Sequence, residues 1–304
     1  PYTIQDIVWH IPGTDPAAGE IIFSAHLFEG YVKQGGNDNI SGSAVVVEIG
    51  RTLNTLINDG RLPRPRRTIR FLIGPEFSGT GPWAKANKAL MERTLCNINL
   101  DMVGMLLSRS QSFMCMMRTT FGNPHYLNDV MENYYRFVGE GNRERLQNRS
   151  TAYPVLQRIV APQGSDEPFY YSIETHYGAS DHEVFNDWGV QVPGIMMITW
   201  PDRWYRTSGD HVDKTDPTQL KRVAAIGAVY LTRTVMGRHV FAFGGNPEAS
   251  RFSGLRLDRI QVSVYVISGL CAGLAAFMGA SFYGSASCAD ATGYELYVIA
   301  SAVV

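Results

Sequence analysis

Apolar positions over the first ~235 residues alternate between short continuous runs and runs at helical spacing. Residues 21–25 (IIFSA) read as a buried strand. Within 41–59, Val45, Val46, Ile49, Leu53, Leu56 and Ile57 recur three and four apart, which predicts an amphipathic helix. Gly60 closes that helix, and Pro63 and Pro65 follow. The pattern then predicts strands over 68–73, 97–100, 112–117 and 193–198. Helices are predicted over 81–94, 125–138 and 217–234, the last announced by Asp216-Pro217. Residues 141–180 are polar and aperiodic, as in a long functional loop region. Strand and helix in alternation predict a three-layer α/β/α sandwich. Ligands of such a sheet sit beyond the carboxyl ends of its strands.

Beyond residue 236 the pattern changes. No charged residue occurs from Gln261 to Ala289. A bilayer needs about 20 apolar residues, so 261–289 is expected to form a hydrophobic, membrane-associated helix. Gly269, Gly273 and Gly279 suit membrane helix packing, and Arg251, Arg256 and Arg259 favour a cytoplasmic start. We therefore expect two parts, a domain over 1–236 and a hydrophobic helical segment over 237–304. The chain begins at Pro1 and stops within an apolar stretch, as a fragment would.

Composition adds little to this picture. With 304 residues, 45% of them hydrophobic, the chain can build one large core plus a small second unit. A net charge of −1 gives no basic excess for nucleic acid. The four cysteines (Cys96, Cys115, Cys271 and Cys288) lack CxxC spacing, so buried thiols are expected rather than a zinc knuckle or disulfide framework.

The chemistry lies just after the strands. His26 follows the first, Asp38 precedes the first helix in Gly-Gly-Asn-Asp-Asn-Ile-Ser-Gly, and Asp101 follows 97–100. One imidazole with two carboxylates suits zinc. Singly each is weak, since a histidine after a strand is commonly structural and an aspartate before a helix is commonly a cap. Glu76, after 68–73, is placed to take a proton from water, a role worth roughly 10²–10⁴-fold in rate. There is no His-Glu-x-x-His helix and no Gly-x-Ser-x-Gly elbow.

The ordered set His26, GGNDNISG around Asp38, TIRFLIGPE ending at Glu76, NLD ending at Asp101, Ser180-Asp181-His182 and YRTSGD over 205–210 resembles the zinc exopeptidases of peptidase family M28. That resemblance implies the zinc exopeptidase (phosphorylase/hydrolase-like) sandwich and an aminopeptidase-like hydrolase acting on peptides. It implies His26 and Asp101 on one zinc, Asp38 bridging to a second, and Glu76 as general base. It also implies a cis Asp38–Asn39 peptide and a substrate pocket near Asp181, His182 and Arg206.

Two departures bear on the second ion. The family has Glu-Glu where this chain has Glu76-Phe77, and His where it has Arg206. Phenylalanine cannot ligate, and a guanidinium is a fixed cation. At ~4 Å from a divalent ion it is opposed by roughly 8 kcal/mol at an effective dielectric of ~20, unless it swings towards Asp210 or solvent. One retained ion at His26, Asp38 and Asp101, or weak metal binding overall, is the expectation, with two ions as the alternative and activity low or absent. Glu29, three residues after His26, stands where the family places its orienting acid two residues on. The rival is a catalytically inactive binding module of the same fold. The tail, with GRHVFAFGGNPEASRFSG over 237–254 and TGYEL over 292–296, resembles the permease subunit of ribose-type ABC sugar transporters. A membrane transport component is the reading that the tail alone would support, although one span cannot form a pore.

Overall fold

The computed structural model describes residues 5–28, 33–148 and 159–232. Strand β1 (Ile7–Ile11) leads to β2 (Glu20–Phe28), α1 (Gly42–Asn58), β3 (Thr68–Pro75), α2 (Thr80–Ala86), α3 (Lys88–Met91) and β4 (Thr94–Leu100). Then come α4 (Leu107–Ser110), β5 (Phe113–Met117), α5 (Leu127–Asn148), β6 (Tyr171–Glu174), α6 (His182–Asn186), β7 (Gly194–Trp200) and α7 (Pro217–Thr232). The strands form one sheet in the order β1-β3-β2-β4-β7-β5-β6. β2 lies parallel to both β3 and β4, and β4 to β7, whereas β1 and β5 run antiparallel to β3 and β7.

Alternation along each strand sends its side chains to two separate cores, as a period of two requires. Ile21, Phe23 and Ala25 of β2 and Ile69, Phe71 and Ile73 of β3 pack with Val45, Ile49 and Leu53 of α1, Met131 and Tyr135 of α5, and Val223 and Ile226 of α7. Ile22 and Leu72, between them in sequence, join Ala84, Met91 and Phe185 of α2, α3 and α6. Helices thus cover both faces, giving the expected three layers. Phe23, Phe71 and Ile98 are fully buried, each contributing roughly 1.5–3 kcal/mol.

This topology also fixes where a site can form. The path from β2 to β3 runs through α1 on one face. The path from β3 to β4 returns over β2 through α2 and α3 on the other. The carboxyl ends of β2, β3 and β4 therefore flank a switch point, where crossovers part and leave a crevice.

Several elements differ from expectation. β1 and β6 were not predicted, and both are short strands at the sheet's two edges. β1 adds an antiparallel edge strand ahead of the first predicted one. The helix expected over 81–94 is broken at Asn87 (φ −110, ψ 36), whose side-chain amide donates to Trp83 O. The helix expected to end at 138 runs to Asn148, through Gly-Glu-Gly-Asn-Arg-Glu-Arg, where charge hides any apolar period. The region 141–180 thus holds the end of α5 and all of β6. Among the described residues no helix is long and apolar enough to cross a membrane. The span expected over 261–289, like the rest of 233–304, lies outside the described residues, as does Glu29.

Candidate metal centre

Three neighbouring strands deliver the predicted side chains. His26 stands near the end of β2, opposite Gly74 of β3. Glu76 follows β3, and Asp101 follows β4, with its amide donating to Met197 O of β7. Asp38 arrives from the turn Gly36–Ser41 that opens α1. All three of His26, Asp38 and Asp101 are buried. The ring Nε2 of His26 lies 3.2 Å from Asp101 Oδ1 and 3.4 Å from Asp38 Oδ1. One ligand atom from each of the three lies within 4.8 Å of the others. Two carboxylates and an imidazole nitrogen converging in a buried space fit a zinc ion, which takes N and O donors near 2.0–2.2 Å.

Electrostatics points the same way. Burial pulls the His26 imidazole towards its neutral form, but hydrogen bonds and charge from Asp101 and Asp38 prevail and raise its pKa to about 11. In the metal-free chain a proton thus supplies the positive charge that these carboxylates demand. Burial opposes the charge of Asp38 too, yet His26 and the ammonium of Lys33 hold its carboxyl below the ordinary range. His26 Nδ1 has no hydrogen-bond partner among the described residues.

The turn that carries Asp38 is held by its neighbours. Asn37 donates its amide to Asp210 Oδ1 at 2.7 Å, and Asp38 donates its own to Asp210 Oδ2 at 3.0 Å. The Asn37 side chain donates to Thr199 Oγ1 and Asp202 Oδ2 and accepts from Gly104 N. Asn39 donates to Leu100 O and accepts from Gly42 N and Met102 N, so one amide ties this turn to the end of β4. The Asp38–Asn39 peptide is cis, as the resemblance implied. At Gly42 a Cβ would stand 2.2 Å from Leu100 O, so only glycine allows α1 to start this close to β4. Most letters of the GGNDNISG signature thus have a structural task, and Asp210 explains why SGD accompanies it.

A cavity of about 170 Å³ opens over the cluster, lined by His26, Asp38, Asp101 and Glu76. Its remaining wall is largely aromatic and apolar, with Tyr177, Trp200, Tyr205, Ile198 and Met102, plus Arg206. Of the three residues expected near a substrate pocket, Arg206 lines this cavity. Asp181 and His182 do not line the cavity, because local hydrogen bonds turn both side chains into the protein. Asp181 Oδ1 accepts from Phe77 N at 2.8 Å, and Thr80 donates to the same carboxyl. Burial pushes Asp181 up to about 6 against those bonds. His182 is buried with Nε2 2.9 Å from Tyr177 O, and burial lowers its pKa to about 4.

The two departures also take definite places. Phe77 is partly exposed at φ 51 and is not part of the cavity wall. Arg206, at φ 54, lies over the Tyr205 ring at 5.0 Å, with Nη2 4.0 Å from Glu76 Oε2. It does not swing to Asp210, whose two oxygens are taken by the backbone amides of Asn37 and Asp38. Sequence reasoning missed Lys33, whose Nζ sits 2.8 Å from Asp38 Oδ2. It also missed Tyr177, Trp200 and Tyr205, which come from separate loops and strand ends with no shared spacing.

With this geometry in place, comparison with known proteins adds ancestry. Residues 6–231 match the model of peptidase family M28. Residues 222–304 match the permease component of branched-chain amino acid transport systems, so the two matches overlap within α7. The chain resembles an aminopeptidase from an Aneurinibacillus species at 22% identity, covering 75% of this chain and 48% of that one, with TM-score 0.51. BSAP, a zinc aminopeptidase from Bacillus subtilis, gives 19%, 75%, 50% and 0.52 in the same order. A glutaminyl cyclase from Porphyromonas gingivalis gives 15%, 75%, 77% and 0.53. Likeness at these identities shows the fold, and the chain spans about half the length of the two aminopeptidases. The ribose import permease of Escherichia coli is 37% identical over 89 residues, which is 29% of this chain and 28% of the permease.

Proposed function

This chain belongs to peptidase family M28 through residues 6–231, and from that premise we propose that it is a zinc-dependent, aminopeptidase-like hydrolase acting on the ends of peptides. The observation that carries the proposal is the convergence of His26 Nε2, Asp38 Oδ1 and Asp101 Oδ1 at the floor of one cavity. His26, Asp38 and Asp101 would hold the zinc. When bound, such an ion polarises a carbonyl and lowers the pKa of water. Glu76 stands on the same cavity and takes the proton of the attacking water, then returns it to the leaving amine. Tyr177, Trp200 and Tyr205 exclude solvent and favour an apolar or aromatic residue next to the cleaved bond. We place the end of the peptidase part at residue 236, with a permease-like segment of separate ancestry over 237–304.

One observation favours a rival. Arg206 approaches Glu76 at 4.0 Å, and an ion pair there makes the carboxylate a poorer base, as in a binding module without turnover. Elemental analysis of the full chain with an aminoacyl-anilide assay separates the two. About one zinc per chain with turnover, both lost in His26→Ala, is expected. Zinc without turnover supports the module, and no zinc in the wild type overturns the metallopeptidase.

A further inference from the structure

The two oxygens of Asp38 have different neighbours. Oδ1 faces His26 Nε2 at 3.4 Å, and Oδ2 is 2.8 Å from Lys33 Nζ. Both side chains are shielded, with exposures of 2% for Asp38 and 7% for Lys33. A lysine is almost never so enclosed unless it is paired. A second cation, Arg206, stands on the same cavity with Nη2 4.0 Å from Glu76 Oε2.

We propose that Lys33 is a built-in cation of this centre: its ammonium occupies the outer oxygen of Asp38 and restricts the site to one divalent ion, held by His26, Asp101 and the inner oxygen. This rests on the metallopeptidase reading above and adds a residue that sets its metal stoichiometry. An ammonium donates hydrogen bonds and has no lone pair, so it takes a carboxylate oxygen without becoming a ligand. It also repels a second cation from that oxygen. Asp38 would thereby have only its inner oxygen to offer an ion. Lys33 is a positioning residue here, acting on metal through Asp38.

Zinc titration of the metal-stripped full chain, by calorimetry with elemental analysis after gel filtration, tests the assignment. The wild type is expected to saturate at one zinc. Lys33→Met, which removes the charge and keeps the stem, is expected to bind zinc about tenfold more tightly. Lys33→Arg should stay within about threefold of the wild type. Two zinc in the wild type, or one zinc with an unchanged Lys33→Met affinity, overturns the role of the lysine and leaves the metallopeptidase standing. No zinc in the wild type overturns both. If Lys33→Met does not fold, which circular dichroism reports, Lys33→Gln takes its place in the same titration and is read by the same outcomes.

Discussion

The inner and outer halves of this centre are built on different rules. The inner half is His26, Asp38 and Asp101, each fixed by a strand end or by a turn tied to the sheet through Asn37, Asn39 and Asp210. The outer half is Lys33, Phe77 and Arg206, carried by loops, with Phe77 and Arg206 at positive φ and partly open to solvent. Where the sheet dictates position, the proposed metal-binding set is intact. Where loops do, cations and an aromatic ring stand in. Chemistry that needs sub-ångström placement is retained on rigid elements, and drift collects where the backbone has latitude.

Breaking the inner half should have the largest effect. Asp101→Ala is expected to empty the site and bring peptidase activity to background, measured by zinc content and turnover together. Glu76→Gln should keep the zinc and cost roughly 10²–10⁴-fold in kcat. Loss of zinc in that variant would mean that Glu76 belongs to the ligand set.

The support beneath the inner half comes next. Asn37→Ala removes bonds to Thr199 and Asp202 and leaves the buried Gly104 amide without its acceptor. Such orphaned groups cost about 1–3 kcal/mol each, so a loss of about 3 kcal/mol in urea denaturation is expected. A smaller loss, below about 1 kcal/mol, would show that the turn is less rigid than the contrast requires.

His182 probes the wall behind the cavity. Its pKa in the fold is lowered to about 4 by burial, from an ordinary value near 6.5. Below pH 6.5 the unfolded chain takes a proton that the folded chain refuses. Stability from this group is therefore full above pH 6.5 and is lost as pH falls towards 4, by up to about 3 kcal/mol. The difference in stability between wild type and His182→Gln should shrink across that window. A difference independent of pH would mean that His182 is solvated.

The smallest effect belongs to the outer half. Phe77→Gly relieves a positive φ that costs a side chain about 1 kcal/mol, and it keeps the amide that Asp181 accepts. It should raise stability by no more than about 1 kcal/mol and leave zinc content unchanged. Altered zinc content would place Phe77 in the inner half's support.

Legibility in the sequence followed the same divide. His26, Glu76 and Asp101 were readable because each adjoins an apolar run whose end marks the rim of a sheet, and Asp38 because it sits in the polar, glycine-flanked turn that opens a strongly periodic helix. The helices α1 and α7 were readable from their apolar spacing. Lys33 was not, since a lysine five residues before an aspartate in a polar stretch carries no periodic signal. Asp181 and His182 were placed near a pocket by motif alone, and their hydrogen bonds to Phe77 N and Tyr177 O give their positions behind the cavity wall. β1 and β6, as edge strands, have too few buried positions to show a period. Thr199 and Asp202 hold the site through Asn37 from more than 160 residues away, a separation that no local pattern encodes.

The grip of Asp210 on the amides of Asn37 and Asp38 spans 173 and 172 residues. During synthesis His26 and Asp101 emerge long before that grip can close. A nascent or clipped chain that ends short of residue 210 carries His26, Asp38 and Asp101 yet lacks the carboxylate that holds the amides of Asn37 and Asp38. On the metallopeptidase proposal, metal capture would therefore report on completed folding.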